Sequence, residues 1–565
     1  MARNILYLDK EIDIIMKQIK ILIATALLFS GIFTMPLLAA DFATSAPLII
    51  DKVVKVQPKQ SSIRKIYQIS ASQPIWVTAH GLSTLGRGLL DQVGSDPLLN
   101  HDTKLYRDYR AIKSFGTSAS FFGGKASVKK QIKLELKMTQ LYKNYANYKI
   151  YGMINWPIFR GRLQQIIVTD DIHADWEIYP KYTVYSLLRA MMTSGEVRGL
   201  FDQTTPGTQL YTSLEKWYFH YLKIYQSGEW PVIPNFNTIK PGASNGVVPL
   251  IRKRLYLSGD LKGCKPSGSS IYDQCLVDAV KRFQKRNGQR ADGVIGKSTR
   301  RVLRLSLREL LTKMELNLDR MKMMKLNEAS RHIMINIPAF RLYFYENGEI
   351  FQTMKVVTGK KKHPTPVFSD TVETVVLNPY WNVPKSIIQK EMIPKLLRNS
   401  NAMKKKGIEI RDGWGPDAKK ISASSVNWSQ YRYSKSVPYR FAQVPGHKNA
   451  LGKVKFLFPN KFSVYMHDTP SKNLFNRQTR AYSHGCIRLE KPRELMKTFA
   501  EFNPNLEYDR AQKILKGKKQ AYYQVEHVPI DVTYLTAWVD PSGVLQLRSD
   551  IYSYDKEQLK HRNRY

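Results

Sequence analysis

Cysteine is scarce in this chain, with three among 565 residues. Neither a Cys-x-x-Cys nor a His-x-x-His spacing is present, which argues against a zinc site. Acid is also in short supply: 46 Asp and Glu stand against 88 Lys and Arg, a formal net charge of +42. A balance so basic favours polyanionic partners, whether nucleic acid, an anionic membrane face or an acidic cell-wall polymer. No zinc-finger spacing and no RNA-binding aromatic signature accompanies the charge, which argues against nucleic acid. Beyond residue 40 no apolar run is long enough to span a bilayer. What is present is a 43% hydrophobic content that suits globular domains, and a length sufficient for three or four of them.

The single long apolar run lies at the start, in "MKQIKILIATALLFSGIFTMPLLAADF" (residues 16–42). Lys17 and Lys20 precede Ile21–Ala40, and small residues close the run before Asp41. This reads as a signal peptide cleaved after Ala40, or as an uncleaved membrane anchor formed by residues 21–40. The start is Met1 or Met16. Either way the remainder is expected to be exported. In an oxidising compartment Cys264 and Cys275, flanking "KPSGSSIYDQ", either pair or are two unrelated buried thiols. Cys486 is then the odd one, an inert core residue or a free reactive thiol.

Residues 41–70 are polar, unpatterned and expected to form a tether. Residues 71–240 show apolar spacings of three and four and read as a helical scaffold domain. Within it, "TDDIHADW" (169–176) groups three aspartates and a histidine, a weak cation-site candidate that reads more naturally as a solvated loop. Residues 245–305 form a compact unit in which Leu276, Val280 and Phe283 mark one helix face, Gly and Asn supply turns, and Ser298 or Thr299 caps a second helix. With "AVKRFQ…NG…DGVIG" this unit resembles the three-helix peptidoglycan-binding module. Twelve Lys and Arg against four Asp between Ile251 and Arg300 suggest a basic face for stem-peptide carboxylates. Residues 303–328 read as one amphipathic helix, so 306–330 is a linking helix. From 331 to 555 the period becomes that of strands, with Asn347-Gly348 as a hairpin turn, "FSDTVETVVLNPYWNVP" as a strand pair, and a turn across Pro541-Ser542-Gly543. Residues 397–450 are polar and turn-rich, as in a flexible capping insertion. The fold class expected is multidomain α+β with a mostly antiparallel β domain, which the family resemblance given below implies to be a sandwich-like catalytic domain.

The chemistry concentrates in "YMHDTPSKNLFNRQTRAYSHGCIRLE". A cysteine nucleophile needs a base or a lowered pKa, and donors for an oxyanion. Strand alternation puts Tyr465 and His467 on one face. Gly485 permits an unusual turn, so that the amides of Gly485 and Cys486 are oxyanion candidates, and Arg488 suits a carboxylate. On the residues alone, either His467 or His484 is available as base. His467, a fifteen-residue gap, then Ser483-His484-Gly485-Cys486 resembles the signature of the L,D-transpeptidase catalytic domain, supported by "NPYWNVPKSI" and "NALGKVKFLFPN". The resemblance implies Cys486 as nucleophile, His467 as base, and Asp468 as the residue whose backbone carbonyl orients that base. It assigns Tyr465, Ser483, His484, Gly485 and Arg488 to the substrate and oxyanion shell. It also implies a tetrapeptide-stem donor that releases D-Ala, a diaminopimelate acceptor giving a 3–3 cross-link, carbapenem acylation, and no cofactor or metal. Hydrolysis by the same thiol, and a non-catalytic wall-binding scaffold, remain as alternatives.

Overall fold

A computed structural model of the chain describes residues 42–116, 127–169, 172–325, 329–413, 418–434, 436–563 and 565. The expected signal peptide or anchor (1–40) lies outside these residues. Among the described residues no helix is long and apolar enough to cross a membrane. The chain divides into two compact units: residues 1–154, 180–207 and 562–565 form the first, and 155–179 and 208–561 the second.

The first unit is helical. Residues 41–70 are not a tether: α1 (Phe42–Val56) and α2 (Ser62–Ile69) are helices. Ala46, Ile49, Ile50, Ile66 and Tyr67 are fully buried. The apolar residues of α1 recur at helical spacing, and burying that stripe outweighs the polar composition between them. Helix α3 (Val128–Tyr151) supplies the largest share of the core. Its buried Glu135 accepts from the amides of Ile75, Trp76 and Val77. Helix α4 (Val184–Ser194) packs on the same core, opened by a Thr183–Ser186 capping box.

In the second unit, α5 (Gln209–Ser227) precedes a module of α6 (Val248–Leu257), α7 (Gln274–Arg286) and α8 (Lys297–Leu303). Cys264 and Cys275 are disulfide-bonded. Asp273 caps α7 by accepting from the Leu276 amide. Helix α8 starts one residue before the expected caps, after Gly296, and Thr299 is buried, donating to Gln289. The expected basic face loses three of its members to the interior: Arg252, Arg254 and Arg286 are each at most 5% exposed. Arg252 and Arg286 are held there by Asp273 and Asp260. The long helix expected over 303–328 breaks at Arg304, and α9 (Leu307–Lys322) restarts behind a Ser306–Glu309 capping box.

Among the described residues the main sheet of the β region has nine strands: β1 (Arg331–Asn336), β2 (Arg341–Glu346), β3 (Glu349–Gly359), β4 (Phe368–Leu377), β5 (Val454–Leu457), β6 (Met466–His467), β7 (Ala481–Ser483), β8 (Ile487–Leu489) and β9 (Ala521–Thr533). Their order is β7-β3-β8-β6-β5-β4-β9-β1-β2, and β2 also pairs with β3. Asn347 and Gly348, at φ 50° and 84°, make the β2–β3 hairpin a tight left-handed turn. Most pairings are antiparallel, while β6–β8, β7–β3 and β9–β1 are parallel. The strand pair expected in 368–384 does not form: β4 lies between β5 and β9. Trp381–Asn382 instead joins Arg440–Gln443 in a separate four-stranded sheet.

That second sheet carries the insertion beyond its expected bounds of 397–450, back to Trp381. Its own core joins Ile388, Ile393 and Leu396 to Ile408, Ile410, Trp428 and Phe441. The segment is therefore a packed subdomain, where composition suggests a loose loop.

Candidate active site

Each strand at the site has one face in the core. On β5, Val454 and Phe456 are fully buried, and Phe456 meets Phe499 of α10 (Pro492–Glu501) with ring centroids 5.6 Å apart. Alternation then turns Lys455 to the opposite face. The same logic buries Met466, Ile487 and Leu489 and turns Tyr465, His467, Cys486 and Arg488 the other way. The register completes the arrangement: Lys455 pairs with His467, and His467 with Arg488. The Ile487 amide donates to the Tyr465 carbonyl at 3.0 Å, so Cys486 lies beside Tyr465 and diagonal to His467.

His467 is 4% exposed, and its Nδ1 lies 2.5 Å from the Asp468 carbonyl oxygen. A carbonyl only accepts, so Nδ1 carries the hydrogen and Nε2 keeps its lone pair. Burial, with repulsion from Arg488, Lys455 and Lys472, lowers the imidazole to about 3. The Asp468 side chain does different work. Its Oδ2 accepts from the Lys453 amide at 2.9 Å, and its Oδ1 from the Thr469 amide and Lys472 Nζ, both at 2.7 Å. Gly452, at φ 60°, passes so close that a Cβ there would lie 2.3 Å from Asp468 Oδ2.

Cys486 is the one free cysteine among the described residues. Burial pushes its thiol up, while the Tyr465 amide and phenol and the charges of Lys455 and Arg488 pull it down. Lys455 Nζ sits 3.8 Å from the Tyr465 ring centroid. The Nε of Arg488 is buried without a partner among the described residues. Both cations favour the thiolate form of Cys486.

The turn that presents Cys486 is rigidly tied. Ser483 Oγ donates to the Cys486 carbonyl at 2.6 Å and accepts from the Gly485 amide at 3.1 Å. The Gly485 amide is thus spent inside the turn, and of the two expected oxyanion donors only the Cys486 amide stays available among the described residues. Gly485, at φ 119°, adopts a backbone closed to other residues. Thr365 Oγ1 fixes its carbonyl at 2.7 Å. His484 is drawn away from the base role, its Nε2 lying 3.2 Å from Lys360 Nζ and 3.3 Å from Glu391 of the insertion.

The structure thus gathers Tyr465, His467, Ser483, Gly485, Cys486 and Arg488, with the Asp468 carbonyl behind His467. Sequence reasoning overlooked Lys455, although the alternation of "KVKF" against two buried neighbours was its signal. Of the "TDDIHADW" candidates, Asp170 and Asp171 lie outside the described residues. Asp175 is committed to Arg160, with both pairs at 2.9 Å. Among the described residues no group of His, Cys, Asp and Glu is disposed to hold a metal.

Comparison with known families defines the class. Residues 330–505 match the L,D-transpeptidase catalytic domain, residues 61–217 a scaffold domain, and residues 245–303 a "Putative peptidoglycan binding domain". Three stretches of the chain are thus similar to an L,D-transpeptidase catalytic domain, a scaffold domain and a peptidoglycan-binding domain. Among particular relatives, a Haemophilus influenzae protein named "Putative L,D-transpeptidase" is 30% identical over 246 residues, covering 43% of this chain and 48% of that protein. The match thus spans about half the length of that relative. Among solved structures, the L,D-transpeptidase from Mycobacterium smegmatis is 17% identical over 36% of this chain and 59% of its own, with a TM-score of 0.18. That from Stackebrandtia nassauensis is 13% identical over 54% and 96%, with a TM-score of 0.21.

Proposed function

We propose that this protein is a periplasmic peptidoglycan L,D-transpeptidase that forms 3–3 cross-links between diaminopimelate residues. The Cys486 sulfur attacks the carbonyl of the third residue of a tetrapeptide stem. A C–S bond forms, and the oxyanion is met by the Cys486 amide. The C–N bond to D-Ala breaks, and the leaving amine takes the proton that His467 accepted from the thiol. The side-chain amine of a second diaminopimelate then attacks the thioester, His467 accepts its proton, and the thiol is restored. Asp468 acts through its carbonyl, holding Nε2 toward the reaction.

The observation that carries this reading is the shared sheet face of Cys486, His467, Arg488 and Lys455, with Nδ1 of His467 committed to the Asp468 carbonyl. The resting pair is a neutral thiol and a neutral imidazole. A substrate carboxylate bound at Arg488 and Lys455 would cancel part of the repulsion that holds His467 low, and so makes the imidazole a better base when substrate is present. The test is incubation with disaccharide-tetrapeptide, read by mass spectrometry. Wild type yields 3–3 dimer and D-Ala, and Cys486→Ala yields neither. Unchanged dimer from Cys486→Ala refutes the reading, and tripeptide monomer without dimer assigns the acyl-enzyme to water.

A further inference from the structure

One peptide unit of the active site faces two ways. The Gly485 carbonyl and the Cys486 amide belong to the same planar trans peptide, so they point in opposite directions. Thr365 Oγ1 lies 2.7 Å from that carbonyl oxygen, and a carbonyl only accepts, so the hydroxyl hydrogen is committed there. The Cys486 N–H is thereby aimed away from Thr365, and it has no acceptor among the described residues. Thr365 is itself firmly held. It is fully buried, in a loop that returns from the end of β3. Its hydroxyl oxygen accepts from the Gly359 amide at 2.9 Å, and its own amide donates to the Tyr552 phenol oxygen at 3.3 Å. That phenol donates to the Gly359 carbonyl at 2.6 Å, so one side chain pins both ends of the loop. The Tyr552 ring stacks on Tyr534 with centroids 5.5 Å apart, and its amide donates to the Tyr534 phenol at 2.9 Å. Pro364 and Pro366 flank Thr365 and narrow its backbone, and its β-branched side chain has few rotamers. The loop runs so close over Gly359 that a Cβ there would lie 2.2 Å from the His363 carbonyl oxygen.

We infer that Thr365 is a positioning residue for acyl transfer: its hydroxyl holds the Gly485–Cys486 peptide plane in the orientation that presents the Cys486 N–H to the oxyanion. The inference rests on the proposed acyl-transfer reading of Cys486. The Gly485 amide is already bound by Ser483, so of the two amides the Cys486 amide alone is left to meet the oxyanion. A lone donor weakens steeply as its angle turns away from the acceptor. Gly485, at φ 119°, has no Cβ to restrain the plane by sterics. The Thr365 hydroxyl supplies, from behind, the restraint that the glycine lacks.

The test compares two reactions of Cys486 in the full chain, each followed by intact mass. Imipenem acylates a thiol through a tetrahedral oxyanion, whereas iodoacetamide alkylates it by displacing iodide and forms no oxyanion. Thr365→Val keeps the shape of the side chain and removes the hydroxyl. Losing an oxyanion donor outright costs about 10²–10³ in rate, so a donor left loose should slow acylation by about tenfold to a hundredfold. Alkylation at the same pH depends on the thiolate fraction and should stay within about twofold of wild type. The pair Thr365→Ser and Thr365→Ala repeats the comparison with the methyl removed from both: serine should keep most of the acylation rate and alanine should lose it. Circular dichroism checks that each variant folds, and the second pair decides where Thr365→Val does not. Acylation and alkylation slowed alike would reveal a displaced thiol and overturn the inference. Acylation unchanged in the hydroxyl-free variants overturns it too, as does an equal loss in Thr365→Ser and Thr365→Ala. Wild-type protein that imipenem acylates but that forms no 3–3 dimer overturns the proposed substrate alone, and the acylation comparison still decides the role of Thr365. Wild-type Cys486 alkylated by iodoacetamide but inert to imipenem overturns both.

Discussion

The ionisation of Cys486 tests the electrostatics of the site directly. Burial raises the thiol above its ordinary value of 9.0, and the buried imidazole sits at about 3. A thiol of pKa 9 is about 3% thiolate at pH 7.5, so Cys486 should be at or below that fraction in the free protein. Because Cys264 and Cys275 are disulfide-bonded, iodoacetamide reports on Cys486 without interference from other cysteines among the described residues. The alkylation rate plotted against pH should show one midpoint above 9 and no plateau near neutrality. His467→Ala should move this midpoint little, because the imidazole is neutral throughout the range, yet should abolish acyl transfer. Lys455→Met removes a cation that stabilises the thiolate, and should raise the midpoint by about one unit. Lys455→Arg should restore it in part. A midpoint well below 8 that disappears in His467→Ala would reveal a thiolate–imidazolium pair at rest, and the argument from burial would be wrong.

His467 should also make the fold acid-sensitive. Its ordinary pKa of 6.5 applies to the unfolded chain, and its folded value is about 3. Below 6.5 the unfolded state takes up a proton that the folded state refuses, so stability is intact above that pH and falls as pH drops toward 3, by at most about 5 kcal/mol. His467→Asn keeps a donor for the Asp468 carbonyl without the titration, and its acid-unfolding midpoint, followed by tryptophan fluorescence, should lie lower; an unchanged midpoint contradicts the assignment. Gly452→Ala should cost about 1–3 kcal/mol by denaturant unfolding, since its Cβ displaces the Asp468 carboxylate, and kcat should fall with it. Asp468→Ala keeps the carbonyl and should retain far more activity than His467→Ala; equal losses would show that the carboxylate itself takes part.

Much of the site was legible because its parts are local. Asn347-Gly348 announced a hairpin, and alternation put Tyr465 and His467 on one face before any pairing was known. The pairing itself was not legible. His467 meets Arg488 through a parallel ladder between strands twenty residues apart, and Lys455 joins them only because β5 lies on the other side of β6. Composition misled where burial is shared among distant segments. The insertion looks polar because its core residues are spread over Val383–Phe441, a few in each short element. The module looks more basic than its surface is, because Arg252, Arg254 and Arg286 count as charges in a sequence but are buried in the fold.

The insertion meets His484 through Glu391, and that contact alters how His484 should be understood. Glu391 sits in a helical turn (Ile388–Met392) whose flanking Ile388, Met392 and Ile393 are buried in the insertion's own core. Its carboxylate lies 3.3 Å from His484 Nε2, where Lys360 also reaches at 3.2 Å. Burial, together with the Lys360 charge, lowers the His484 pKa, so the ring is neutral near pH 7 and Nε2 can accept from Lys360. The Cys486 turn is therefore tied on one side to β3, through the bond from the Lys360 amide to the Ser483 carbonyl at 3.0 Å, and approached on the other by the insertion. The histidine next to the nucleophile in sequence thus links the turn to its surroundings, while the proton chemistry is left to the histidine on the neighbouring strand.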